Sequence, residues 1–282
     1  MILLFITLSY YCEANVIDGL KNLNDVRTFI TKTMRGNEKI DFFGTEKIDS
    51  ASGLSQLKYK KIDLNNDGLT DLIVNGTYLF AVIDDGKGGF NVDFIDRGTF
   101  MLDKYVLFAI DTLEKQPKII VERYNQYNKS PVNRNVYDTL VLKFNGFVEF
   151  TNHQETFGIE KIDASTTMCF GSCPVFELSI NADGTAIYKA LNYNEKKGNF
   201  EGEVDTETLN ELFGLVNYIR ARSLRNDYKV NWTDDQTINI TITYKDGTVK
   251  SISDYGEIGT FGLQRLYEHL FKLRTSQKWQ PM

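Results

Sequence analysis

The stretch "TINITITYKDGTVKSIS", residues 237–253, alternates strictly: Ile238, Ile240, Ile242 and Tyr244 on one side, Asn239, Thr241 and Thr243 on the other. A period of two residues is that of a strand with one buried and one solvated face, and Asp246-Gly247 supplies the turn into a partner strand. Upstream, Phe176, Leu178 and Ile180 alternate with Glu177 and Ser179, and Asp183-Gly184 leads into a strand carrying Ala186 and Tyr188. A third short strand is read at 198–203. Asp205 or Thr206 then caps a helix whose Leu209, Leu212, Phe213, Val216 and Ile219 share one face. A last helix carries Leu263, Leu266, Leu270 and Leu273 at the same spacing. Two hairpins interleaved with two amphipathic helices predict an antiparallel sheet covered by two helices over residues 160–282.

The first half reads differently. Apolar positions Leu20, Leu23, Ile30 and Met34 fit one short helix within 15–35. From about residue 56 there follow short aromatic and β-branched runs: LIV, TYLFAVI, FNVDFI, KYVLFAI, KIIVERY and DTLVLKF. Turn signals separate them at Asn75-Gly76, at "DDGKGG" and at Asn145-Gly146, and "NQYNKSPVNRN" reads as a long loop. The regular pattern lapses around 151–165. The expected class is α+β, with a β-rich domain at 15–155 and the sheet-and-helix domain at 160–282.

With 42% apolar residues and only four prolines, the 282-residue chain can bury a large core. A net charge of −6 offers no footprint for phosphate backbones or anionic lipid, so nucleic acid is excluded as the expected partner. The opening MILLFITL is too short for a bilayer, which needs roughly 20 apolar residues. It reads as the core of a signal peptide at 1–14, with Cys12 and Ala14 as the small residues before a cut at Asn15. The segment lacks a basic start, which leaves a buried strand as another reading. Acylation of Cys12, anchoring a lipoprotein to the membrane, is the other export route. Either route leaves Cys169 and Cys173, and in an oxidising compartment two thiols this close form a disulfide. Free thiols, a redox pair or half a zinc site are the alternatives. The zinc reading would need His153 and His269, the chain's two histidines.

"DLNNDGLTD", residues 63–71, crowds three carboxylates and an amide into one turn. Calcium takes six to eight hard oxygen ligands, and alternate positions of a tight turn can aim several at one centre. Asp63, Asn65 and Asp67 occupy positions one, three and five, the Leu69 carbonyl position seven, and Asp71 position nine. Position twelve is Val74, where an EF-hand would carry a bidentate glutamate, so this is a shorter loop closed by its ninth residue. An Asx-rich turn capping its own backbone is the alternative.

Residues 61–90, "KIDLNNDGLTDLIVNGTYLFAVIDDGKGGF", resemble one FG-GAP or VCBS-type repeat, with Gly86, Gly88, Gly89 and Phe90 matching its closing turn. The resemblance implies the same calcium shell of Asp63, Asn65, Asp67, Leu69 and Asp71. Full members repeat the unit to build a β-propeller; one copy is present here. Residues 162–279 resemble uncharacterised extracytoplasmic domains that open with Cys-Phe-Gly-x-Cys-Pro, a likeness running from "CFGSCP" through "TDDQT" at 233–237 to Trp279. That family implies no activity.

No GxSxG, HExxH or phosphate-binding loop occurs, so hydrolysis would rest on scattered groups such as Glu177 and Asp254. The sequence therefore points to a calcium-stabilised, extracytoplasmic binding or scaffolding module of the cell envelope, gripping an envelope protein or a glycan. An unrecognised enzyme acting on an extracytoplasmic polymer, and an inhibitor of a secreted partner, are the alternatives.

Overall fold

The computed structural model describes residues 15–34, 58–95, 103–125, 136–153 and 156–282. The expected signal segment 1–14 and most of the Asn-rich loop lie outside these residues. Among the described residues three α-helices and predominantly antiparallel sheets make the class α+β. Contacts divide the chain into two compact units, Met1–Thr139 and Leu140–Met282. Among the described residues no helix is long and apolar enough to cross a membrane.

In the first unit, helix α1 spans Leu23–Thr33. It starts later than the apolar spacing suggests because Asn22 caps it: the Asn22 side chain accepts from the N–H of Asn24 and Asp25, and the Asp25 carboxylate accepts from the Asn22 N–H. Strands β1 (Tyr59–Ile62), β2 (Asp71–Asn75), β3 (Leu79–Asp84) and β4 (Phe90–Phe94) form an antiparallel meander in chain order. Leu72, Val74, Phe80 and Val82 pack on Ile17, Val26, Phe29 and Ile30, and Phe29 meets Phe90 edge-on at 5.0 Å. Both β2 and β3 are buried along their whole length, which is why LIV and LFAVI read as unbroken apolar runs rather than alternating ones. A hairpin of β5 (Asp103–Asp111) and β6 (Lys118–Asn125) follows.

Strand β7 (Val136–Lys143) enters the second unit, where its end pairs with β8 (Gly146–Glu149). The two loop residues are Phe144 and Asn145, with φ of 56° and 60°, so the turn lies one residue before the Asn-Gly pair that sequence favours. Gly146 answers a different demand: a Cβ there would lie 1.6 Å from the Arg265 guanidinium. Then come β9 (Ile159–Thr166), β10 (Phe176–Asn181), β11 (Thr185–Ala190), β12 (Gly198–Glu203), helix α2 (Thr206–Tyr218), β13 (Asp227–Lys229), β14 (Thr237–Tyr244), β15 (Val249–Tyr255), helix α3 (Phe261–Ser276) and β16 (Gln280–Pro281). They build one eight-stranded sheet, ordered β13-β15-β14-β9-β10-β11-β12-β16. Only β13 runs parallel to its neighbour, β15. The lapse at 151–165 hides β9, which pairs with β10 on one side and β14 on the other.

One core joins the inward side chains of this sheet to both helices, including Ile180, Ile240, Ile242, Leu212, Leu215, Leu266 and Leu270. Burying each such side chain contributes about 2 kcal/mol. Asp205 caps α2 by accepting from the Thr208 N–H, and Thr260 caps α3 through Leu263. The N-terminus of α3 is also held from β8, where the Glu149 carboxylate accepts from the N–H of Phe261 and Gly262.

Candidate functional site

The acidic turn lies between β1 and β2. Gly68 and Asn66 adopt left-handed backbone, φ 88° and 62°, which lets the chain reverse within the turn. Asp63 accepts from the N–H of Asp67 and Gly68 at 3.2 and 2.9 Å. Asp67 accepts from the Leu69 N–H at 2.8 Å and from the Asn65 amide at 2.7 Å. Asp71 is fully buried and accepts from the N–H of Leu64 and Asp84 at 2.8 and 2.9 Å. Burial, with the charges of Asp67 and Asp63 adding to it, pushes its carboxyl up to about 7. Thus the four side chains named from sequence share one turn and engage the loop's own N–H groups, Asp71 reaching also to Asp84 on β3. Among the described residues no three carboxylate, imidazole or thiol groups gather into a metal cage. The donor chemistry still fits calcium: every candidate ligand is a hard oxygen, and like charges crowd a buried carboxyl that a cation would relieve. Asp63, Asn65, Asp67 and Asp71, with the Leu69 carbonyl, would hold it.

In the second unit Cys169 and Cys173 are joined by a disulfide, with Cα atoms 5.8 Å apart. Gln236, nearly fully buried, locks the loop's two ends by donating from Nε2 to the carbonyls of Thr167 and Pro174 at 2.8 and 2.9 Å. The Phe170 N–H donates to the Asp234 carbonyl at 2.8 Å. The "TDDQT" stretch is therefore a turn that clasps the cysteine loop, and Asp235 accepts from Trp232 Nε1 at 3.0 Å. On the loop's outer side Phe170 is 90% exposed and Met168 64%. His269 engages the Phe144 carbonyl at 3.1 Å.

Asp254 faces inward from β15 and is fully buried. Its carboxylate accepts from the N–H of Ile258 and Gly259 at 3.0 and 2.8 Å and from the Tyr267 hydroxyl at 2.9 Å. Burial, then the charges of Asp254, Asp235 and Glu268, raise the neighbouring Glu257 carboxyl to about 7. Burial and Asp254 also push the Tyr267 hydroxyl up.

The outward face of the sheet forms two polar rows that cross the strands. Register places Ser253, Asn239, Ser165, Glu177, Lys189 and Asn199 side by side, and Ser251, Thr241, Asp163, Ser179, Ile187 and Glu201 in the adjacent row. Between them lies a shallow hollow of about 440 Å³, lined by residues of β9, β10, β11 and β14 together with Asn199 and Met282. Its charges engage each other: Lys189 pairs with Glu177 at 3.2 Å, and Asp163 with Lys161 at 2.8 Å. Asn239 and Thr241 were readable as the polar half of the alternating strand; the rest of the face needs the long-range pairing to assemble. Neither Asp254 nor Glu257 lines this hollow.

The second unit is thus an α+β domain with a mostly antiparallel sheet, one disulfide-closed loop and a polar outer face. Residues 160–274 match the family described as "Domain of unknown function (DUF6438)". No curated protein and no solved structure matches the chain.

Proposed function

We propose that the protein is an exported, calcium-stabilised binding or scaffolding module of the cell envelope, which grips an envelope protein or a glycan without catalysing its conversion. The observation that carries this reading is the outer face of the eight-stranded sheet. Its two rows offer closely spaced hydroxyl and amide groups over a shallow hollow, and Glu177, Lys189 and Asp163 are tied in ion pairs instead of being held ready for a reacting atom. Export is supported by the Cys169–Cys173 disulfide, a bond that persists in oxidising compartments. Residues 1–14 act as the export signal, with Cys12 the attachment point in the lipoprotein variant of this reading. The calcium role is supported by the donor set of the acidic turn, and the β1–β4 meander in which the turn joins β1 to β2 supports the likeness to an FG-GAP or VCBS-type repeat.

Photo-crosslinking residues placed at Ser165 and Thr241 test the reading in intact cells. Both should capture the same envelope component. Capture no stronger than from Glu207, exposed on α2, would overturn it. A second reading, an inhibitor of a secreted protein, is favoured by Phe170, presented almost fully exposed on a loop closed by a disulfide. In that case Phe170→Ala abolishes partner capture while Ser165 and Thr241 give none.

A further inference from the structure

On the helix-facing side of β11 and β12, away from the polar rows, lies a second pocket of about 260 Å³. Its floor rests on the core rings of Tyr188 and Phe200, both buried, and the accessible aromatic surface comes from the half-buried Trp279 and the exposed Tyr193. Tyr188 and Phe200 stack with centroids 5.9 Å apart, and the Trp279 indole stands 5.1 Å from Tyr188. Trp279 is fixed twice: Nε1 donates to the Leu273 carbonyl at 3.1 Å, and the ring lies on Gly202, where a Cβ would come within 2.9 Å of it. The mouth is polar, with Arg274, Gln277, Thr275, Glu195 and Lys196.

Tyr193 forms the rim, 61% exposed and with φ of 55°. A left-handed tyrosine costs about 1 kcal/mol, and an exposed ring returns little of that in burial. The residue after it holds the arrangement. Asn194 donates from Nδ2 to the carbonyls of Val175 and Asn192 at 2.7 and 2.9 Å. Its Oδ1 accepts from the Tyr188 hydroxyl at 2.9 Å and from Arg274 at 2.8 Å. Every hydrogen-bonding site of that amide is engaged, so the loop presenting Tyr193 is set before any ligand arrives.

We propose that this pocket is a saccharide-binding subsite that holds one pyranose ring of a glycan. Aromatic faces suit the C–H faces of a sugar, and a mixed ring of donors and acceptors suits its hydroxyl edge. Net charge at the mouth is small, with Arg274 and Lys196 set against Glu195, as a polyhydroxyl ligand requires. The volume falls below the roughly 300–1,000 Å³ of sites that enclose drug-sized ligands, which fits one ring. Exposure of Tyr193, Glu195 and Lys196 leaves the remaining chain a way out to solvent. The subsite goes beyond the outer-face reading, because it uses the opposite side of the sheet.

The test uses the full chain with its disulfide intact. Cellotetraose, chitotetraose and tetragalacturonate are titrated at millimolar concentrations, read by tryptophan fluorescence and saturation-transfer NMR. At least one should bind saturably, with its contacts on the Tyr193 and Trp279 rings. Tyr193→Gly, which relieves the left-handed backbone while deleting the ring, should weaken that binding about tenfold without lowering the melting temperature. Tyr193→Phe should retain it. Binding by none of the three, binding indifferent to Tyr193→Gly, or binding of a proline-rich peptide in their place would each overturn the subsite. Such results leave crosslinking from Ser165 and Thr241 unaffected, so the two readings fail separately.

Discussion

Asp71 in the first unit and Asp254 in the second are both fully buried, and both carboxylates accept two backbone N–H groups. Their surroundings differ. Asp254 adds the Tyr267 hydroxyl as a third donor, and its charge helps burial raise the neighbouring Glu257 carboxyl to about 7. Asp71 accepts from the Leu64 and Asp84 N–H groups, sits among the charges of Asp63 and Asp67, and is pushed up to about 7. The same burial is met by three donors in one unit and by two in the other, and it is at the second that we propose a cation. The neighbouring loops are closed differently too: by sulfur bonding at Cys169–Cys173, and by carboxylates that accept backbone N–H groups at residues 63–71.

The sharpest way to break this comparison is to truncate both carboxylates. In chelator, Asp254→Ala orphans three buried donors and should cost about 4 kcal/mol of stability, whereas Asp71→Ala orphans two and also removes crowding, so about 2 kcal/mol is expected. Urea denaturation with hydrogen exchange read for each unit measures both, and the reverse order would contradict the distinction. Next in size, replacing Cys169 and Cys173 by serine should cost about 2 kcal/mol on the chain-entropy account. Faster exchange should be confined to the cysteine loop and residues 233–237, because Gln236 and Asp234 tie these together. Loosened amides in the acidic turn would mean that the two closures are coupled.

The smallest effect concerns Glu257, whose carboxyl rises from 4.5 to about 7. The folded protein holds that proton up to about 7 while the unfolded chain releases it near 4.5, so this group lowers stability as pH climbs through that window. Glu257→Gln removes the loss. Its advantage over the parent should be absent below pH 4.5 and, discounted for partial exposure, about 1 kcal/mol above pH 7. A pH-independent difference in chemical denaturation would place the cause elsewhere.

Much of the second unit could be read directly. The alternation at 237–244, the Asp-Gly turns at 183–184 and 246–247, and the leucines of α2 and α3 carry the physics of their elements in the local pattern. Strand β9 could not be read, because its inward positions include the small Ala164 and the polar Thr166, and its outward ones the charged Lys161 and Asp163. Its neighbours define it. Asp254 did leave a signal, a carboxylate at an inward-facing position two residues after Ile252, but that position also reads as a strand end. Glu149 left none, since its partners Phe261 and Gly262 lie over a hundred residues away and only folding brings them to it. In the acidic turn Asp63, Asn65, Asp67 and Asp71 could be named together from spacing, because the residues of a tight turn are local in sequence.

The central claim is that a calcium ion closes that turn. Hydrogen exchange of the Gly68, Leu69 and Asp84 amides, with calcium and then with chelator, tests it most directly. Saturation at 100 times the dissociation constant should slow their exchange and raise first-unit stability by about 2.7 kcal/mol, leaving the cysteine loop unchanged. Superimposable exchange in the two conditions would contradict it.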